Sequence, residues 1–274
     1  MILLRTTEIS RVIVEFSNAL AAASDLPIVL FVDERNGPVD AGGRPKLGFD
    51  RRTYADMGLY VSPDVGWRCG DYGFYIARRS FPDAEHLWMI DYDVRLTGDA
   101  RRFFEVIGSR GDLDFVAPKL QPADDGWWWS KYLVSSDARP WRCFFPVIRL
   151  SAHAVEALYE KRRAHSRQLS RVAMWPNDEG FVATTLVNTG LTRADLNDFG
   201  HRFYDDATFS YKNVIDGDNV DCHTGSPELL HPVLTGEAYA KKVARMTLPR
   251  HYPDLPLLSV RQALAPRINR QRAW

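Results

Sequence analysis

Short apolar runs alternate with amphipathic stretches along this chain. Ile2 to Leu4 is apolar, Arg5-Thr6-Thr7 is polar, and Ile9, Val12, Ile13, Phe16 and Leu20 then recur at helical spacing, with Thr6 or Thr7 as candidate caps. The β-branched run from Pro27 to Asp33 predicts a strand ending in Asp33 and Glu34. A third run, Leu87-Trp88-Met89-Ile90, feeds directly into Asp91-Tyr92-Asp93. Helical spacing returns from Ala100 to Ile107, and strands are predicted at Phe115 to Ala117 and Phe144 to Leu150. Ser151 caps a helix from Ala152 that closes on Lys161-Arg162-Arg163, a basic run suited to the helix dipole. Residues 35–50, rich in Gly and Pro, and Asp205 to Gly225 read as loops. Strands alternating with helices predict one α/β domain with a Rossmann-like, mostly parallel central sheet flanked by helices.

Composition narrows the class. Lys plus Arg and Asp plus Glu both number 35, so no net field draws the chain to nucleic acid or to an anionic membrane. Cys69, Cys143 and Cys222 are dispersed and odd in number, which argues against a disulfide framework and a structural zinc site. Arg5, Glu8, Arg11 and Glu15 interrupt the segment where a signal sequence would need an uncharged core. With no apolar run of about 18 to 20 residues, no transmembrane segment is expected, and a cytoplasmic location follows.

The candidate chemistry begins at Asp91 and Asp93. Asp-x-Asp occurs three times, and aspartate content alone predicts about two occurrences, so the triplet says little by itself. Position separates them. Asp112/Asp114 precedes a strand-like run and Asp216/Asp218 has loop-like neighbours, whereas Asp91/Asp93 ends a wholly apolar strand, where ligands of open α/β sheets collect. Two neighbouring carboxylates repel unless they share a proton or a hard divalent cation. Mg2+ or Mn2+ held by carboxylates completes its shell with water and substrate phosphates, which points to a metal-bridged diphosphate. The alternative is a solvated strand end.

Other candidates stay open between a functional and a structural role. Arg5 could meet a phosphate and Thr6 a ribose or base edge. Asp71 stands in the first turn of a helix whose Tyr72, Tyr75, Ile76 and Arg79 either form core or stack on a base. Trp127-Trp128-Trp129 and Trp141, among Asp124, Asp125, Ser130 and Lys131, suit sugar rings, a lid or a subunit interface. Asn177-Asp178-Glu179 opens a helix, where the acids serve as first-turn charge or as a general base. His231, directly before Pro232, is by itself an ordinary surface or core histidine.

Taken in order, the strand to Asp91-Tyr92-Asp93, the Phe144 to Leu150 strand with its helix, Asn177-Asp178-Glu179 and His231-Pro232 resemble nucleotide-sugar-dependent glycosyltransferases of the GT-A fold. More narrowly, Trp67-Arg68-Cys69-Gly70-Asp71-Tyr72 followed by Trp88 to Arg95 resembles an uncharacterised glycosyltransferase-like group of bacteria and fungi. The resemblance spans roughly residues 1 to 235. It implies a GT-A-like domain with a nucleotide-sugar-binding half at 1–118, an acceptor-binding half at 119–240 and a C-terminal tail at 241–274. Asp91 and Asp93 would lie near the donor diphosphate, with Asp93 the direct metal ligand and His231 a further one. Arg5, Thr6, Asp71 and Asp91 would contact the donor, and Glu179 or Asp178 would deprotonate a glycan or glycolipid acceptor in an inverting transfer. A glycolipid acceptor would bring peripheral membrane contact. The middle residue, Tyr92, departs from the more acidic motifs of the wider fold. Two alternatives are a non-catalytic glycan-binding protein and a sugar-phosphate nucleotidyltransferase, the latter usually showing a Gly-rich basic loop where this chain has Arg5-Thr6-Thr7-Glu8.

Overall fold

The computed structural model describes residues 1–133, 139–168, 175–220 and 225–247. A seven-stranded sheet contains β1 (Ile2–Thr6), β2 (Ile28–Asp33), β3 (Lys46–Phe49), β4 (His86–Asp91), β6 (Phe115–Ala117), β9 (Val147–Ser151) and β10 (Arg193–Asp195), with β5 (Arg95–Thr97), β7 (Gln121–Pro122) and β8 (Trp141–Arg142) lying outside it. Its spatial order is β10-β6-β9-β4-β1-β2-β3. Only β9 runs against its neighbours, and every other pairing in the sheet is parallel. The expected α/β class with a mostly parallel sheet is the one adopted.

Period-two alternation sorts the strand residues into two layers. Leu3, Phe31, Leu87, Met89, Phe115, Ile148 and Leu150 face one hydrophobic cluster. Ile2, Leu4, Leu30, Trp88, Ile90, Val116 and Val147 face the other. The first layer is covered by α2 (Arg51–Asp56), α3 (Val65–Arg68), α4 (Tyr72–Ser80), α6 (Ala152–Ser166) and α7 (Asp178–Asn188). The second is covered by α1 (Arg11–Ser24), α5 (Ala100–Gly108) and a small sheet of β11 (Tyr204–Phe209), β13 (Glu228–His231) and β5. The remaining elements are β12 (Ile215–Asp216), β14 (Val233–Leu234) and α8 (Gly236–Thr247).

Several sequence expectations change. Residues 46–49 form an edge strand and Asp205 to Phe209 continue β11, so neither stretch is wholly loop. Strands from both sides of residue 118 join one seven-stranded sheet, and α8 spans Gly236–Thr247. The part of the expected tail from 248 onward lies outside the described residues, as does Cys222. Ser10, not Thr6 or Thr7, occupies the N-cap position of α1. Arg162 is not a surface charge near a helix end, because α6 continues to Ser166 and buries it completely. Among the described residues no helix is long and apolar enough to cross a membrane.

Candidate active site

Parallel register sets Arg5 of β1 beside Asp91 of β4 at the carboxyl-terminal edge of the sheet. Arg5 Nε donates to Asp91 Oδ1 and Nη2 to Oδ2, each at 2.6 Å, a bidentate fork that fixes the carboxylate plane. Burial would lower the guanidinium's pKa, but Asp91 outweighs it and the net shift is upward. Burial in turn raises the Asp91 carboxyl, against the pull of Arg5. The strand stops at Asp91, and a turn closed by Val94 N–H on the Asp91 carbonyl at 3.1 Å brings Asp93 back beside it at the same sheet edge.

Asp93 meets His231 from the end of β13. His231 Nε2 lies 3.4 Å from Asp93 Oδ1, and the Val233 N–H donates to the Asp93 carbonyl at 2.7 Å. Burial pushes the Asp93 carboxyl up, but the imidazole overcomes it and the group titrates below its ordinary value. His231 Nδ1 faces the Ser210 carbonyl at 3.3 Å. In the neutral tautomer that lets Nδ1–H donate there, Nε2 turns a lone pair toward a carboxylate oxygen, so a proton or a cation belongs between them. Ligand atoms of Asp91, Asp93 and His231 lie within 4.8 Å of one another. Carboxylate oxygens with one imidazole fit Mn2+ well, and Mg2+ less well because of the nitrogen. Since Arg5 holds both oxygens of Asp91, Asp93 and His231 are the residues with atoms most open to an ion.

The second acidic group sits at the start of α7. Asn177 is its N-cap, accepting from Gly180 N–H at 3.2 Å. Asp178 is buried, its Oδ2 accepting from Gly70 N–H and its Oδ1 from Glu179 N–H, both at 2.9 Å. Burial, with Asp71 adding to it and Arg5 opposing it, pushes Asp178 up to about 6. Glu179 is half-buried and receives Asn177 Nδ2 on Oε2 at 3.2 Å. Burial and the neighbouring Asp178 push it up to about 8. Gly70 is the hinge of this arrangement: a Cβ there would fall on Arg5 Nη1 and come within 2.6 Å of Asp178 Oδ2. Arg5 Nη1 is buried and has no hydrogen-bond partner among the described residues. Arg5 thus stands between the Asp91 and Asp178 carboxylates.

Not every sequence candidate reaches the site. Asp71 has no exposed surface, and both its oxygens are held, by Arg162 Nε at 2.7 Å, Arg162 Nη2 at 3.0 Å and the Tyr75 hydroxyl at 2.6 Å. It braces α4 against α6 and has no surface to offer a donor. Tyr72 and Tyr75 are core, which answers the question of base stacking in that stretch. Thr6 is buried, with its hydroxyl donating to the Glu8 carbonyl at 2.7 Å in a local turn. Asp114 accepts from Ser151 and Thr192 and Asp216 caps a short 3-10 turn, so neither of the other Asp-x-Asp triplets joins the site. The sequence reading missed Phe144 and Phe145 as parts of the site. Phe145 lies 5.8 Å beneath Arg5 Cζ, and the Phe144 ring is 5.2 Å from that of His231. Their signal would have been the reversal of β9, which local pattern does not encode.

No family model matches the sequence, and no curated protein matches it. Among solved structures, a protein described as a glucose-1-phosphate thymidylyltransferase from Bacillus anthracis superposes with a TM-score of 0.40 and 10% identity, covering 71% of this chain and 85% of that one. Mouse xyloside xylosyltransferase 1 superposes with a TM-score of 0.35 and 12% identity, covering 69% and 81%. At such scores the likeness is too loose to carry an argument about this chain.

Proposed function

We infer that this chain is a metal-dependent glycosyltransferase that moves a sugar from a nucleoside-diphosphate donor to a hydroxyl of a glycan acceptor. The observation that carries the reading is the convergence, on one sheet edge, of the Asp91–Asp93–His231 cluster with the Asp178–Glu179 pair, joined through Arg5. The two groups have separate chemical tasks. A divalent cation bound at Asp93 and His231 would neutralise charge developing on the diphosphate leaving group. Asp91, held by Arg5, keeps the turn and the ligand atoms in place.

Of the two carboxylates at α7, Glu179 is the base and Asp178 its support. Both Asp178 oxygens already accept backbone N–H groups, whereas Glu179 is the more accessible and has the higher pKa. A base poised near neutrality gives a large driving force for proton removal while remaining partly ionised. Glu179 takes the proton of the acceptor hydroxyl as that oxygen bonds to the anomeric carbon. The bond from that carbon to the diphosphate oxygen breaks, and the nucleoside diphosphate leaves with the electron pair. Attack on the face opposite the departing diphosphate would make the transfer inverting.

The test is calorimetric titration of nucleoside diphosphates with and without Mn2+. Wild-type protein is expected to bind one of them at least tenfold more tightly with Mn2+, and Asp93→Asn is expected to remove that enhancement. Equal affinity with and without the ion in the wild type overturns the metal assignment.

A further inference from the structure

Two exposed indoles belong to segments that pack on the turn carrying Asp178 and Glu179. Trp67 is 55% exposed and belongs to α3, three residues before Gly70, whose N–H donates to Asp178. Trp128 is 47% exposed and follows Trp127, whose ring packs over Gly180 in the first turn of α7. Trp129 fastens the two segments together: it is nearly buried, its ring centroid is 5.5 Å from that of Trp67 and 5.3 Å from that of Tyr132, and Arg68 Cζ lies 4.9 Å over its face. Leu133 closes the segment against Gly180 from the other end. The backbone carrying both exposed rings is therefore anchored to the same turn that carries the carboxylates.

We propose that Trp67 and Trp128 form the acceptor subsite, where they stack on the C–H face of a pyranose ring and direct one of its hydroxyls toward Glu179. This rests on the transfer reading above and names its acceptor class. Leaving two indoles in water forgoes a large apolar gain, and a ring with one apolar face and a polar rim is the partner that recovers it without dehydrating the site. Lys131 adds donors for ring hydroxyls. Its Nζ covers one face of the Trp128 indole, 3.2 Å from the ring centroid, so the sugar would take the opposite face with the ammonium at its rim. A lipid surface is the other partner of exposed tryptophan and lysine, and the vesicle measurement below separates it from a saccharide.

Saturation-transfer NMR on the full chain, without metal or nucleotide, tests the proposal, with methyl β-cellobioside and methyl β-xylobioside as probes. Saturation is expected on the axial ring protons H1, H3 and H5. Trp67→Ala/Trp128→Ala should lower it about fivefold, and Trp67→Phe/Trp128→Phe should restore part of it, as loss and return of a stacking face require. No saturation in the wild type with either probe overturns the proposal, as does an unchanged signal in the alanine variant. Sedimentation with phosphatidylglycerol vesicles that depends on the two indoles, with no saccharide signal, overturns it in favour of a membrane face. Because the measurement contains no donor and no cation, its failure would leave the donor chemistry standing, and failure of the donor chemistry would leave this result standing.

Discussion

Glu179 illustrates how a single carboxyl acquires a catalytic pKa from its surroundings. Burial and the adjacent Asp178 disfavour its charge, while Asn177 and the Phe145 backbone N–H soften the effect without cancelling it. A carboxyl raised in this way lends stability that is fully present below its unfolded pKa, near 4.5, and is lost as the pH rises through about 8. Glu179→Gln removes that titration. Its melting temperature relative to wild type is therefore expected to climb between pH 5 and pH 9, by an amount corresponding to a few kcal/mol at most. A constant difference across that range, measured by calorimetry, would show that Glu179 titrates as an ordinary surface acid. The acids themselves were legible in the sequence, since Asn177-Asp178-Glu179 has the form of a helix start. Which of the two is free was not, because that depends on Gly70, a residue distant in the chain whose N–H claims one oxygen of Asp178.

At the scale of elements, the joint between α4 and α6 is a completely buried ion pair. Arg162 and Asp71 have no exposed side-chain surface, and Arg162 also donates to the Pro176 carbonyl at 3.2 Å and lies 3.7 Å over the Phe181 ring. The pair thus ties α4 to α6 and reaches the segment that opens α7. Removing one partner leaves a buried charge without its counterion, so Arg162→Ala is expected to cost about 3 to 5 kcal/mol in denaturant unfolding. Replacing both as Asp71→Leu/Arg162→Met should recover much of that loss, because the desolvation of both charges disappears together. A double variant as unstable as the single one would contradict this account. In the sequence, Lys161-Arg162-Arg163 is indistinguishable from a helix-terminal basic run. Only the packing of α6 shows that the middle residue points inward. The apolar strands were legible for the opposite reason: β2 and β4 are buried on both faces, and such strands need continuous apolar runs.

For the molecule as a whole, the central strands should be the most protected part. Hydrogen exchange is expected to be slowest in β1, β4 and β9, which have sheet neighbours on both sides, and faster in the edge strands β3 and β10 and in α8. Comparable protection in β3 and β4 would argue against this sheet order. The order itself was not readable from local pattern, because an isolated apolar run carries no direction. Thus the Phe144 to Leu150 strand was expected, and its reversal was not.

That reversal has a chemical consequence. A strand that runs backwards delivers its entrance, not its exit, to the ligand-bearing rim, and consecutive residues there belong to opposite faces of the sheet. Phe144 therefore comes up from one layer beneath the imidazole, and Phe145 from the other beneath the guanidinium. Each half of the reaction centre rests on its own aromatic floor tile, laid side by side by one inverted ribbon.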